Sequence, residues 1–240
     1  MRLLPILLLL ALPVFADEPS LQVLSYHDVK DHVFGDYDPD QYAVSTSNLI
    51  AQFTFLRDNG FHPVSVDDVI AAYDGRRPLP ANAVLLTFDD GMESFYTRVY
   101  PLLKLFKYPA VISVVTSWIE SDVVLEYAGK TRVSADFLTW DQLREMQASG
   151  LVEVASHSHD LHKGIQGNPQ HNLQPAGTTR LFDGEKYETQ AAYLARIERD
   201  LEQSVNSLQH ELGRAPRCLL YTSPSPRDHL LHRVCRLLLE

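Results

Sequence analysis

Ala83-Val84-Leu85-Leu86-Thr87-Phe88-Asp89-Asp90-Gly91 carries no charge for six residues and then presents two adjacent carboxylates and a glycine. An uncharged run of that length reads as a strand covered on both faces, the usual condition in parallel sheets packed beneath helices. Ligands of such sheets bind beyond the carboxyl ends of the strands. Along an extended strand, Asp89 and Asp90 would face opposite ways. Where the backbone turns at Gly91, both side chains can reach one pocket and take different roles. By itself Asp-Asp-Gly also reads as a tight turn, since both residue types favour turns.

Outward from this segment, short apolar strands alternate with amphipathic helices. Leu21 to Tyr26 is an expected strand. Leu49, Ile50, Phe53 and Leu56 recur at helical spacing after Ser47, the expected N-cap, and Gly60 ends that helix. Phe61 to Val66 reads as a short strand, and Asp67 or Asp68 as the cap of a brief helix through Tyr73. Phe95, Val99, Leu102, Leu103 and Phe106 mark a helix that Pro101 should bend or divide. Ala110 to Val115 and Leu151 to Ala155 are further strands. Between them Thr139 to Ser149 forms a helix with Gln142 placed to close a capping box. Leu194 to Leu212 lines a long helix with a charged outer face, and Lys163 to Tyr187 reads as a long loop or insertion. This alternation predicts an α/β fold with a mostly parallel sheet, open or closed into a barrel.

The 240 residues suffice for one domain with a substantial core. Arg2, the apolar run Leu3 to Leu12 and the small residues of Val14-Phe15-Ala16 read as a secretory signal cut after Ala16. The run is too short for a bilayer span, so no transmembrane segment is expected and the periplasm is the expected location. The formal net charge of -10, without a Lys/Arg cluster, disfavours nucleic acid as a partner. With two cysteines, Cys218 and Cys235, the chain is no disulfide scaffold. Residues 218–240 differ from what precedes them. Leu219-Leu220-Tyr221 starts a strand, the prolines at 224 and 226 stop it, and the segment reads as an atypical tail, either an unusual natural C-terminus or a frameshifted or foreign one.

Two further strand ends carry chemistry. Val154-Ala155-Ser156-His157-Ser158-His159-Asp160-Leu161-His162 places three imidazoles after an apolar strand. His157 and His162 with one Asp would give a two-His, one-carboxylate face for Zn, Co, Ni or Fe, with positions open to water and substrate. His159, between them, is the weakest candidate. Tyr26-His27-Asp28 follows the first strand, and a hydrolase splitting an amide must protonate the departing amine, a task suited to histidine. Asp28 is placed to orient His27.

Together these residues resemble the polysaccharide deacetylases of the NodB-homology type, carbohydrate esterase family 4. Thr87-Phe88-Asp89-Asp90-Gly91 matches that family's first motif and Ser156-His157-Ser158 opens its second. His157 and His162 stand five apart where the usual motif has four, and Tyr26-His27-Asp28 lies near the start. That combination is similar to the branch acting on poly-β-1,6-N-acetyl-D-glucosamine in Gram-negative biofilm systems. The resemblance covers about Leu21 to Arg217. It implies a distorted, circularly permuted (β/α)7 barrel over residues 17–217, truncated at its C-terminal side. It implies Asp89 as general base, Asp90, His157 and His162 as ligands of a divalent cation, and His27 as general acid. It further implies metal-dependent N-deacetylation of the polymer, with release of acetate.

The chain departs from this pattern after Ala215-Pro216-Arg217, where the family continues into a strand and an aromatic-proline-aromatic motif. The biofilm enzymes also continue into a C-terminal glycan-binding domain. The expectation is therefore weak activity for this chain taken alone. The alternatives are a deacetylase of peptidoglycan, chitin or an O-acetylated glycan, and a noncatalytic sugar-binding remnant. A phosphatase-like use of Asp89-Asp90 lacks a phosphate-cradling loop.

Overall fold

β5 (Ala83–Phe88) lies inside a mainly parallel sheet, next to its first strand, and every residue in it is buried. The computed structural model describes residues 21–33, 40, 42–120, 122, 124–127, 130–220 and 235–237. The expected signal segment 1–16 and residues 221–234 of the tail lie outside them. β1 (Leu21–Tyr26) runs parallel to the whole of β5, from Leu21 beside Ala83 to Tyr26 beside Phe88. On the other edge β5 meets β4 (His62–Pro63) at its first residues and β6 (Ala110–Val114) at its last. β9 (Val152–Ser156) follows β6 in parallel. β12 (Cys218–Leu220) pairs with β9 at Leu219, and β13 (Cys235–Leu237) pairs antiparallel to β12. The α/β class and the open parallel sheet are thus present.

The helices start where side chains satisfy their first N–H groups. α1 (Thr46–Asp58) is capped by Ser45, two residues before the expected Ser47, because the Ser45 hydroxyl accepts from the Asn48 N–H. α2 (Val66–Tyr73) is capped by Ser65. Asp68 closes the box instead of serving as cap, accepting from the Ser65 N–H at 2.9 Å. That leaves the expected Phe61–Val66 strand only His62 and Pro63, since Val66 already belongs to the helix. Phe95–Val99 is wound as a π-helix that closes with the Tyr100 N–H on the Phe95 carbonyl, and α3 (Tyr100–Phe106) follows. Pro101 has no N–H to offer the preceding turn, which accounts for the division there. α4 (Thr116–Glu120) follows β6, and α5 (Trp140–Ala148) has the expected Thr139–Gln142 capping box. α6 (Gln190–Leu212) ends on Gly213 in the left-handed conformation.

Side-chain alternation divides the sheet's two faces. Val84, Leu86, Phe88, Ile112, Val114, Val152 and Val154 join Leu49, Phe53, Leu143, Met146 and Leu208 in the large helical core. Leu85, Val111, Ala155 and Cys218 face a smaller cluster with Val66. Each fully buried Phe or Leu contributes about 1.5–3 kcal/mol relative to exposure.

Among the described residues, three small two-stranded sheets accompany this frame. β2 (Val29–Lys30) pairs with β3 (Val44–Ser45). β7 (Val124–Tyr127) and β8 (Lys130–Val133) pair antiparallel. β10 (Gly164–Gln166) and β11 (Leu173–Pro175) form a second such pair inside the segment expected to be a loop. Arg196 of α6 ties that insertion down, donating to the carbonyls of Ala176 and Thr179 at 2.9 Å each.

Candidate metal centre

The ladder bonds of the sheet continue past the strand ends and deliver the candidate residues. The Asp89 N–H donates to the Tyr26 carbonyl at 2.8 Å, and the His157 N–H to the Val114 carbonyl at 2.9 Å. Immediately after each anchored residue the chain turns. Asp90 (φ 76) and Ser158 (φ 74) both adopt the left-handed conformation, and Gly91 (φ 73) follows Asp90. This turn breaks the strand alternation, so Asp90 reaches the histidines while Asp89 keeps the inward register of Leu85 and Thr87. A Cβ at Gly91 would meet Val114 Cγ1 at 3.0 Å, so glycine is needed there for space as well as for φ.

Asp90, His157 and His162 come together as expected. One ligand atom from each lies within 4.8 Å of the others. Asp90 Oδ1 stands 3.4 Å from His157 Nε2 and 3.3 Å from His162 Nε2. Two ligands bound tetrahedrally to one ion at about 2.1 Å would be about 3.4 Å apart. Asp90 Oδ1 is also buried without a hydrogen bond, a costly condition that a cation would relieve. Burial pushes the Asp90 carboxyl upward, but the imidazoles of His162, His157 and His27 outweigh it and hold it far below the ordinary range. Burial pushes His162 down to about 4 against the pull of Asp90. A neutral imidazole and an ionised carboxylate are the forms that bind metal. The donor set fits a divalent ion.

Asp89 is fully buried and does not belong to this ligand set. Its Oδ1 accepts from Ser113 Oγ at 2.9 Å and its Oδ2 from Ser25 Oγ at 3.3 Å. His27 Nε2 lies 3.9 Å from Asp89 Oδ2. The two candidate proton carriers therefore face each other beside the ligand cluster. Asp28 is turned elsewhere: Ser94 Oγ donates to one of its oxygens at 2.8 Å and Arg132 to the other at 3.0 Å. The expectation that it orients His27 finds no hydrogen bond in support. His159 also points away, with Nδ1 2.9 Å from Thr116 Oγ1.

Three site residues escaped sequence reasoning. Tyr127 donates its phenol to Asp90 Oδ2 at 2.6 Å. Burial first, then the charge of Asp90, raise its pKa well above the ordinary 10.0, so the phenol keeps its proton. Trp118 packs its ring 5.3 Å from that of His162 and 5.4 Å from that of Tyr127. Arg132, 3 % exposed, inserts between Asp28 and Asp40 at 3.0 Å from each. Val124-Leu125-Glu126-Tyr127 and Lys130-Thr131-Arg132-Val133, separated by Ala128-Gly129, carried the signal of a hairpin.

An α/β sheet with a buried two-histidine, one-aspartate cluster at its strand ends and a second aspartate alongside defines a metal-binding site of hydrolytic type. The polysaccharide deacetylase family model matches residues 76–234, and the chain belongs to that family. It is 39% identical over 202 residues to a poly-beta-1,6-N-acetyl-D-glucosamine N-deacetylase of Escherichia coli O157:H7, covering 82% of this chain and 30% of that one. The chain thus spans less than a third of that relative. Among solved structures it resembles a de-N-acetylase from Aggregatibacter actinomycetemcomitans (TM-score 0.78, 38% identity, 84% of this chain and 78% of that one). It also resembles the BpsB deacetylase domain from Bordetella bronchiseptica (TM-score 0.73, 44% identity, 84% and 79%). Among the described residues no helix is long and apolar enough to cross a membrane.

Proposed function

We propose that this chain is the deacetylase unit of an exported enzyme that hydrolyses N-acetyl groups of a poly-β-1,6-N-acetyl-D-glucosamine polymer. The observation that carries the reading is the pairing of Asp89 with His27 at 3.9 Å beside the Asp90–His157–His162 cluster. The likeness to the Escherichia coli deacetylase supports the choice of polymer.

Asp89, oriented by the Ser25 and Ser113 hydroxyls, removes a proton from water as its oxygen bonds to the acetyl carbon. His27 gives a proton to the glucosamine nitrogen as the C–N bond breaks, leaving acetate and a free amine. Asp90, His157 and His162 would hold a divalent cation, which when bound supplies a Lewis acid for the acyl oxygen and lowers the pKa of water. Zn, Co, Ni and Fe all suit this donor set.

The same reading takes residues 1–16 as a signal peptide, 17–217 as the deacetylase domain and 218–240 as an atypical tail, and places the protein in the periplasm. It takes the fold as a circularly permuted (β/α)7 barrel, in which the strand before His27 has moved to the front.

Amine release from poly-N-acetylglucosamine, before and after chelation, tests the proposal. Release is expected to stop on chelation and return with a divalent ion. His27→Ala should lose about 10²–10⁴-fold on the amide and clearly less on an acetyl ester, whose leaving group is easier to expel. Equal losses on both would remove His27 from the acid role. Reaction with chitin or peptidoglycan oligomers but not the β-1,6 polymer would reassign the substrate.

A further inference from the structure

The β7–β8 hairpin brings to the metal cluster a phenol to which the proposed reaction assigns no part. Tyr127 OH donates to Asp90 Oδ2 at 2.6 Å, while Asp90 Oδ1 faces His157 and His162 at 3.4 and 3.3 Å. The two oxygens of one carboxylate are thus divided between a phenol and the imidazoles. The terminal torsion of an aspartate is a broad, roughly two-fold well, so the carboxylate does not fix its own orientation. The Tyr127 ring is itself fixed by packing. Its centroid lies 5.7 Å from His162 and 5.4 Å from Trp118, and Trp118 rests 5.0 Å from Phe137. Outer partners that orient a metal-binding carboxylate commonly govern affinity for the ion.

We propose that Tyr127 is a positioning residue of the metal centre: its phenol holds Asp90 Oδ2 so that Oδ1 alone is presented to the ion. The assignment rests on Asp90, His157 and His162 being the metal ligands. Without the phenol hydroxyl the carboxylate rotates more freely, and part of the binding free energy goes into ordering it. Trp118 has a different part, which is to pack the ring in place.

The test is a titration of the chelator-stripped 240-residue chain with Zn²⁺ against a competing chromophoric chelator, for the parent, Tyr127→Phe and Trp118→Phe. Tyr127→Phe is expected to bind roughly 10–100-fold more weakly, with the melting midpoint of the metal-free protein within a few degrees of the parent. Trp118→Phe, which keeps the phenol but loosens the packing on Tyr127 and His162, is expected to lose clearly less affinity than Tyr127→Phe. Equal affinities of parent and Tyr127→Phe would overturn the assignment. So would an equal loss in Trp118→Phe, which would make the effect one of packing, or collapse of the metal-free fold in Tyr127→Phe. A parent that binds no Zn²⁺ would instead sink the metal-centre reading, and this assignment with it.

Discussion

The ends of β5 and β9 reach the metal cluster on backbone, whereas the β7–β8 hairpin reaches it on side chains. Asp89 and His157 are each pinned by a main-chain ladder bond to the neighbouring strand. The left-handed residues Asp90 and Ser158 then turn the chain, at a local cost of about 1–3 kcal/mol each that the buried sheet sustains. The hairpin has two strands of four residues, and their ladder is with each other. Such a ribbon is marginal by itself. It is docked by two polar contacts, the Tyr127 phenol on Asp90 and the Arg132 guanidinium between Asp28 and Asp40. The difference teaches a division of labour. The sheet supplies the candidate groups at fixed positions, and the hairpin supplies orientation at the price of depending on its contacts.

Replacing Asp89 at its strand end should cost activity with little stability, and replacing the hairpin's Arg132 anchor should do the reverse. The largest effect is expected for Asp89→Asn, which keeps shape but removes the proposed base. Its kcat should fall by about 10²–10⁴-fold, with melting and metal affinity near those of the parent. A smaller loss, or lost metal, would merge the roles of Asp89 and Asp90. Arg132→Met should destabilise by about 3–5 kcal/mol in denaturant titration, because it removes the buried cation bonded to Asp28, whereas Asp40 keeps Lys30 at 3.3 Å. A value under about 1 kcal/mol, the level of an exposed pair, would mean the hairpin does not need this anchor.

Gly91→Ala should cost about 1–2 kcal/mol for a left-handed L-residue, with some addition from the 3.0 Å approach to Val114. The smallest effect concerns pH. Burial pushes Asp28 up, but the bonds from Ser94 and Arg132 prevail and its pKa lies below the ordinary 3.8. Its stabilisation is therefore complete above about pH 4 and is lost as pH falls through the lower folded value. Arg132→Met should flatten this acid limb of the stability profile. An unchanged slope would detach Asp28 from Arg132.

The strand ends were legible because they combine two local signals. Ala83 to Phe88 and Val152 to Ser156 are largely buried runs; Asp89, Asp90 and His157 follow them directly, and His162 lies six residues past the second. The cap of α1 was misplaced because Ser45 and Ser47 offer the same hydroxyl, and only the folded chain shows which one meets the Asn48 N–H. Tyr127 and Arg132 were not legible as site residues. Their partners stand 37 positions away at Asp90, and 104 and 92 positions away at Asp28 and Asp40. An arginine on a short polar strand reads as surface until those carboxylates are placed around it. Pairings of that separation are made by topology, which residue spacing does not encode.

The division within Asp89-Asp90 is the central claim, and metal stoichiometry tests it most directly. The chelator-stripped chain, dialysed against a divalent ion and analysed for bound metal, should retain one ion per chain. Asp89→Asn should retain it equally, and Asp90→Ala and His157→Ala should lose it. Retention of the ion in Asp90→Ala at the parent's level would contradict the account.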